Sequence, residues 1–375
     1  MEPLRVVLCG IGGMGGRHLR NLLARDDYHL VAVAETDFER DDTRESRALV
    51  ERAGVPIFAD YREMFARTEA DAAFIATPHH LHEPMTVAAL EAGLDVFCEK
   101  PPAPTLDGCR RMLAAQERTG RLVAVGYHHV GHTNALWLKD FIASGSLGAI
   151  TDVVVLMPNY RPESYYERAP WVGKMKVDGA WCLDGVLMNQ TSHFINQALL
   201  FASGEPFPGV ASVAEGTMRS ALYRAHRTPA LEMEDIGVFT CRLAGGARLT
   251  CVATTALVGG GKLTLEILGE KGRALYDGRA LLWPNSKEPF VHDEPDQEGY
   301  LYANFARAAR GQEPPLSPLA EAVKSVAVLE AVFKAADYQI RQIEWAQTDG
   351  LEKVLFGCAQ YRCLPAELPQ PPAWA

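Results

Sequence analysis

The sequence predicts an α/β protein: an N-terminal doubly wound parallel sheet, then a C-terminal α/β domain with a large open, mostly antiparallel sheet. Three observations predict it. From residue 1 to about 125, short runs that are apolar on both faces alternate with helical periods. That is the pattern of a parallel sheet covered on both sides. The first of these runs leads straight into a glycine-rich turn. After about residue 126 the texture changes to runs of period-two alternation joined by hairpin-type turns.

In order, Leu4 to Cys9, His29 to Ala34, Ala72 to Ala76, Asp95 to Cys98 and Leu122 to Val125 read as strands. Helices are predicted from His18 to Arg25 and from Glu83 to Ala92, the second ended by Gly93. In the second half a helix runs from Asn134 to Ser144, stopped at Gly145, followed by a strand from Ile150 to Met157. An aromatic and proline-rich loop from Asn159 to Trp181 precedes a helix from Val186 to Ala202. Strands are then expected over Gly237–Leu243, Ala247–Thr255, Lys262–Leu268 and Arg273–Tyr276, with Gly245-Gly246 as the hairpin turn between the first two. Helical period returns from Ser317 to Ile340, and Leu364 to Ala375 is a proline-rich tail. No internal repeat is present.

The composition bounds the function. A chain of 375 residues suits two domains, and 48% apolar with 22% charged residues is ordinary for a globular enzyme. A net charge of −10 argues against nucleic acid or an anionic membrane as the main partner, because either favours a basic face. Met1 to Arg5 leads directly into an apolar strand, so no secretion signal is expected. No apolar run approaches the ~20 residues that span a bilayer, and the expected location is cytoplasmic. Of eight cysteines, Cys9, Cys98, Cys241 and Cys251 lie in strand-like runs, and the closest pair, Cys358 and Cys363, lies in the tail. With no CxxC pair, they read as reduced and mostly buried.

Gly10-Ile11-Gly12-Gly13-Met14-Gly15 fits G-x-G-x-x-G. Alone, in a chain with 32 glycines, it could be a tight turn and nothing more. Here a strand precedes it, a helix opens within it, and a second strand ends at Glu35, about 20 residues on, as a Rossmann dinucleotide site requires. Gly10 permits the turn, Gly12 lets the backbone approach a pyrophosphate, and Gly15 lets helix and strand pack closely. The helix N-terminus then faces the negative charge. Glu35, with Thr36 beside it, sits where a carboxylate accepts ribose hydroxyls and repels a 2′-phosphate, which favours NAD over NADP. An exposed strand-end acid is the plainer reading of Glu35, and Arg40 is near enough to leave NADP open.

Further along, Ala76-Thr77-Pro78-His79-His80-Leu81-His82 is followed by Gly93-Leu94-Asp95-Val96-Phe97-Cys98-Glu99-Lys100-Pro101. With Gly126-Tyr127, Ser144-Gly145-Ser146-Leu147-Gly148, Asn189-Gln190-Thr191-Ser192-His193 and Glu234-Asp235, these runs resemble the Gfo/Idh/MocA family, named for glucose–fructose oxidoreductase, inositol dehydrogenase and a rhizopine-catabolism protein. The likeness ends near residue 345. It implies an NAD(P)-binding Rossmann domain over 1–125, a substrate-binding and oligomerisation α/β domain over 126–345, and a C-terminal extension over 346–375. It also implies hydride transfer on sugars, cyclitols or related compounds by a homodimer or homotetramer joined through the second sheet. Ala76, Thr77, Pro78, His79, His82, Glu99, Lys100 and Pro101 then fall in the cofactor pocket. Lys100 matches the family's active-site lysine, and His193 its acid–base histidine.

The residues support those two roles independently. Lys100 stands at the C-terminal end of a parallel strand, the edge where doubly wound sheets place ligands. An ammonium there can hydrogen-bond a reacting oxygen and stabilise its developing charge. Glu99 would fix the lysine and tune its proton affinity. His193, inside a helical run, can give or take a proton near neutral pH, although a lone helical histidine is more often structural.

Several positions depart from the family pattern. Asn189, four residues before His193 and on the same helix face, replaces an aspartate that many relatives carry. It can hold a substrate hydroxyl but cannot take a proton. Val172 follows Trp171 where relatives often have arginine. Asn196 replaces a frequent aspartate, and His128-His129-Val130 stands where arginine often follows the Gly-Tyr pair. Together these changes suggest a pocket tuned for an unusual substrate.

Two clusters remain. His79, His80 and His82 are expected to end one strand and His128, His129 and His132 to follow another, both opening on the same mouth as His193. Converging imidazoles could hold zinc. The expectation is nonetheless that no metal is bound, because the family works without one; nicotinamide stacking and hydrogen bonds to substrate hydroxyls are the preferred roles. Tyr160, Arg161, Tyr165, Tyr166, Trp171 and Trp181 form an aromatic loop that either packs on sugar faces, with Arg161 meeting a carboxylate or phosphate, or serves as a lid or subunit contact. The substrate residues expected are Lys100, His128, Tyr160, Arg161, Trp171, Asn189 and His193. The leading expectation is a dehydrogenase acting on a polyol or sugar. Its rivals are a glycosidase or lyase that uses transient oxidation by bound NAD, and a non-catalytic dinucleotide sensor.

Overall fold

The computed structural model describes residues 2–203, 213–293 and 300–343. The extension expected over 346–375, with its proline-rich tail, Cys358 and Cys363, lies outside the described residues.

Six parallel strands form the first sheet: β1 (Leu4–Cys9), β2 (Tyr28–Ala34), β3 (Ile57–Phe58), β4 (Ala72–Ile75), β5 (Asp95–Cys98) and β6 (Val123–Val125), in the order β3-β2-β1-β4-β5-β6. Helices α1 (Met14–Ala24), α2 (Asp41–Arg52), α3 (Tyr61–Arg67), α4 (His79–Glu91) and α5 (Leu106–Thr119) connect them. Alternate residues of β1 enter different cores. Val7 and Cys9 pack with Ala73 and Ile75 on one face, while Val6 and Leu8 pack with Phe74 and Phe97 on the other. Both faces are therefore dry, which is why these strands read as continuously apolar. The strand order reverses between β1 and β4, so their C-terminal ends open a crevice at the switch point.

α4 begins at His79, a turn earlier than expected, and Pro84 lies inside it. The helix expected from Glu83 to Ala92 extends one turn further towards the N-terminus. His79, His80 and His82 are thus in a helix rather than at a strand end, a first correction.

The second half contains α6 (Thr133–Ala143), β7 (Ile150–Pro158), α7 (Glu163–Glu167), β8 (Lys176–Val177), β9 (Ala180–Trp181) and α8 (Ser192–Ser203). Strands β10 (Arg219–Arg224), β11 (Ile236–Arg242), β12 (Arg248–Thr254), β13 (Thr264–Gly269), β14 (Gly272–Tyr276), β15 (Ala280–Pro284) and β16 (Phe290–His292) follow. The chain closes with α9 (Tyr300–Ala309), α10 (Leu319–Ala335) and β17 (Arg341–Gln342). Nine strands make the second sheet, in the order β16-β15-β14-β13-β7-β12-β11-β10-β17. It is antiparallel except for the β7–β12 and β10–β17 pairs. The Gly245-Gly246 turn joins β11 to β12 as expected.

The loop expected over 159–181 contains α7 and the small β8–β9 hairpin. That hairpin turns at Asp178-Gly179, both at positive φ (49° and 81°), the backbone a two-residue turn of this kind demands. The helix expected from Val186 opens as a wider π-type turn over Val186–Thr191 before α8. Thr191 Oγ1 donates to Val186 O at 2.8 Å, five residues back.

β7 alternates along its length. Val153, Val155 and Met157 are buried in the second core, whereas Asp152, Val154 and Leu156 are half-buried on the opposite face. The chain then returns to its beginning. Leu301, Phe305 and Ala306 of α9 pack with Phe74 and Phe97, and Leu319, Ala322, Val323 and Val326 of α10 pack with Val96, Val123 and Val125. Val328, Leu329, Val332 and Phe333 of the same helix belong to the second core. Six described cysteines are free and buried. No helix among the described residues is long and apolar enough to cross a membrane.

Candidate active site

The glycine loop leaves β1 with backbone packed on backbone. A Cβ on Gly10, which has φ +84°, would lie 2.5 Å from Ala76 O, and one on Gly15 would run into Gly10 O. Ile11 N donates to Glu35 Oε2 at 3.0 Å, while Thr36 N and Asp37 N donate to Glu35 Oε1 at 2.8 and 2.9 Å. Glu35 is therefore held at the end of β2 rather than swinging in solvent. Arg40 reaches across the loop until its guanidinium lies where a Cβ on Gly12 would be.

A cavity of about 1070 Å³ runs from Gly10, Gly12, Gly13 and Met14, past Glu35, Thr36 and Arg40, to Lys100 and Trp171. No side chain caps α1, whose N-terminal residues Gly13 and Met14 line this cavity. Exposed helix-start amides and their dipole suit a pyrophosphate, so the loop fits a dinucleotide.

Ala76, Thr77, Pro78, His79 and His82 line the middle of the cavity. His82 is a staple: Nδ1 meets Pro101 O and Nε2 meets Thr77 O, each at 2.7 Å. Both nitrogens are engaged by main chain, which ties the end of β4 to the turn after β5. Pro101 itself is buried behind the cavity. His79 Nδ1 lies 3.3 Å from Cys182 O and 3.8 Å from Asp184 Oδ1. Burial, then the Lys100 charge, push His79 well below the usual histidine range.

Glu99 backs the lysine. Its Oε1 lies 2.9 Å from His18 Nε2, and its Oε2 accepts Lys100 N at 3.1 Å. His18 Nδ1 in turn lies 2.7 Å from Tyr302 Oη, a contact supplied by α9. Burial alone would raise Glu99, but the His18 hydrogen bond and the nearby positive groups hold it down to about 2. A Cβ on Gly126 would sit 2.8 Å from Glu99 Oε1, so the glycine of the Gly-Tyr pair makes room for this carboxylate.

Lys100 Nζ donates to Asn189 O and to Asn189 Oδ1, both at 2.9 Å. Of the three donors on an ammonium, one is left for the cavity that Lys100 and Asn189 both line. Burial lowers the proton affinity of Lys100, Glu99 and Asp184 raise it, and Arg168 lowers it. Asn189 Nδ2 donates to Asp184 Oδ1 at 2.7 Å, and Gly173 N donates to Asp184 Oδ2 at 2.8 Å. Burial lifts Asp184 to about 6 against the opposing pull of Gly173 N–H and Lys100.

Sequence reasoning named neither Asp184 nor Arg168. An acid just before a helix reads as a cap, so Asp184 carried no signal for the cavity. Arg168 lines the same wall as Trp171 and Val172. It thus brings a guanidinium to the wall where Val172 offers none.

His193 is 8% exposed, and its ring packs against Tyr127, His128 and His129 at centroid distances of 5.7, 4.6 and 4.7 Å. Its Nδ1 has no hydrogen-bond partner among the described residues. Burial first, then Lys100 and the three neighbouring histidines, push it well below the usual range; the same causes, apart from fewer histidines, hold His129 at about 3. Both rings are neutral at neutral pH.

The histidines do not converge as a single set, a second correction. His79 and His82 line the large cavity. His128 and His132 line a separate one of about 50 Å³ with Arg17, Glu99 and Tyr302. Among the described residues, the ring nitrogens of His128, His129 and His193 come within 4.8 Å of one another. The His129 and His193 rings stack at 17°, however, so their in-plane lone pairs lie in nearly parallel planes, a poor arrangement for two ligands of one tetrahedral zinc.

Of the aromatic loop, Trp171 lines the large cavity. Tyr160 is 38% exposed, and Arg161 lays its guanidinium 5.0 Å from the Tyr165 ring centroid. Tyr166 is buried with its hydroxyl 2.7 Å from Thr255 Oγ1, and Trp181 stacks on Tyr338 at 5.1 Å.

A switch-point crevice with a glycine loop at one end and a lysine at the other defines a dinucleotide-dependent oxidoreductase. Residues 4–127 match the oxidoreductase family with an NAD-binding Rossmann fold, and residues 135–275 match the GFO/IDH/MocA C-terminal domain. The chain belongs to the Gfo/Idh/MocA family and is an NAD(P)-dependent dehydrogenase by class.

It is 30% identical over 276 residues to an inositol 2-dehydrogenase of Rubrobacter xylanophilus, covering 72% of this chain and 70% of that one. A D-glucoside 3-dehydrogenase of Escherichia coli is 31% identical over 151 residues, 40% of this chain and 42% of that one. Among solved structures, the WlbA dehydrogenase of Bordetella pertussis, in complex with NADH and UDP-GlcNAcA, superposes with a TM-score of 0.74 at 26% identity, covering 90% of this chain and 97% of that one.

Proposed function

We propose that this protein transfers a hydride to or from a secondary alcohol or ketone of a sugar, cyclitol or sugar derivative. The observation that carries the reading is Lys100, with two ammonium protons held by Asn189 and the third available to the cavity that begins at the glycine loop. The glycine loop would hold the pyrophosphate of NAD, Glu35 and Thr36 the ribose, and the residues from Ala76 to His82 and Glu99 to Pro101 the nicotinamide end. When bound, the nicotinamide supplies the hydride acceptor or donor.

Lys100 then hydrogen-bonds the reacting oxygen and stabilises its negative charge. His193 does not line the large cavity; in this reading it accepts the hydroxyl proton during oxidation, for which burial and Lys100 keep it neutral. Trp171 offers an aromatic face and Asn189 a fixed amide to the polyol. His128, Tyr160 and Arg161 do not line that cavity and would contact only a larger substrate.

A screen of sugars, inositols and sugar acids with NAD and NADP, followed at the nicotinamide absorbance band, tests this. Net NADH formation with a polyol is expected; product formation without net NADH would instead favour the glycosidase or lyase reading. Lys100→Ala should cut turnover on the order of a hundredfold to a thousandfold, far more than it weakens cofactor binding. Unchanged turnover overturns the mechanism. The open face of the second sheet, half-apolar at Val154 and Leu156, supports association through that sheet. Light scattering should return a dimer or tetramer, and a single-chain mass would overturn that part.

A further inference from the structure

We propose that Asp184 is the positioning residue for Lys100, its carboxylate acting through the Asn189 amide to hold the ammonium in place at the cavity. The inference rests on the reading in which Lys100 meets the substrate oxygen. Three hydrogen bonds carry it. Asn189 Nδ2 donates to Asp184 Oδ1 at 2.7 Å, and Lys100 Nζ donates to both Asn189 Oδ1 and Asn189 O at 2.9 Å. An amide has one donor end and one acceptor end. With its NH₂ committed to Asp184, its oxygen must face the lysine.

Asp184 is equally fixed. It is 2% exposed, and its second oxygen accepts Gly173 N at 2.8 Å. Both of its oxygens accept from N–H groups, an arrangement that suits the carboxylate and not the acid. A buried carboxylate needs a compensating cation, and Lys100 stands one amide away. The aspartate that the family resemblance leads one to expect at position 189 is thus served from five residues earlier. Its charge is relayed to the lysine instead of touching it.

Trace labelling with acetic anhydride, read at Lys100 by mass spectrometry, tests the relay because it reports the fraction of free amine. Asp184→Asn should make Lys100 about tenfold more reactive at neutral pH, the change for a proton affinity lowered about one unit. Adding Asn189→Asp, which moves the carboxylate directly onto the lysine, should restore the native reactivity. A role for Asp184 limited to holding Gly173 would not be rescued in this way. Asn189→Leu cuts the link while keeping the Gly173 bond, and serves if Asp184→Asn does not fold; the same rise is expected. Native reactivity in a folded single variant, or a double variant as reactive as Asp184→Asn, overturns the proposal. The labelling needs no substrate, so its failure and the failure of the polyol reading are separate results.

Discussion

The glycine-loop wall of the cavity depends on close main-chain approach, whereas the wall around Asp184 and His193, neither of which lines the cavity itself, is built from buried ionisable side chains. The first wall depends on close backbone approach: Gly10 against Ala76, Gly15 against Gly10, and Glu35 accepting three amides. Its job is the same for any dinucleotide. The second wall gathers the buried Asp184, His193 and Glu234 beside the half-buried Asn189 and His129, and the charge states of its acids and imidazoles depend on their neighbours. Main-chain contacts cannot be retuned by a proton; acids and imidazoles can. On the proposed reading, cofactor binding falls to the first wall and proton transfer to the second.

The strongest way to break this division is His193→Asn. Turnover should fall on the order of a hundredfold to ten-thousandfold, while NAD titrated by fluorescence binds as before. Equal loss of both would mean that the two walls are not separate.

A smaller effect sharpens it. Glu234 is fully buried beneath the start of the π-type turn, with Leu187 N donating to its Oε1 at 3.0 Å and Gly185 packed so closely that a Cβ there would meet its carboxyl. Burial lifts its pKa to about 8 from an ordinary 4.5. A raised folded value means that its contribution to stability is complete below the unfolded value and is lost as pH rises through the folded one. Glu234→Gln, which keeps the shape without the ionisation, should match the native chain at acid pH. It should gain on the native chain with rising pH, by on the order of 1.4 kcal/mol per unit across that window. Melting curves of the two proteins that stay parallel from acid to alkaline pH would refute it.

The first wall was almost wholly legible in the sequence. Glycines at a fixed spacing after an apolar strand have few other uses, and Glu35 lay where the next strand had to end. Much of the second wall was not. Lys100 and His193 were found through the motifs around them, and Asn189 through its departure from a pattern. Asp184 and Arg168 were invisible because nothing local distinguishes a buried relay from a helix cap or a surface cation. Only the packing of the π-type turn against α4 and the turn after β5 gives Asp184 its neighbours. The histidines mislead for the same reason. Adjacency in sequence put six of them at one mouth, whereas His79, His80 and His82 line the cavity with Lys100 and His128 and His132 line another.

One consequence of the returning helices concerns how the chain is made. Phe74 and Phe97 stack on each other at 4.9 Å and receive Tyr302 and Phe305 from α9 as their cover. Synthesis runs from the N-terminus at about 5–20 residues per second, so this apolar face of the first sheet emerges well before its lid exists. Until α9 has left the ribosome, Phe74 and Phe97 have His18 and Tyr28 beside them but lack the two α9 rings. The first sheet is therefore completed by a segment made after every strand of the second sheet except β17.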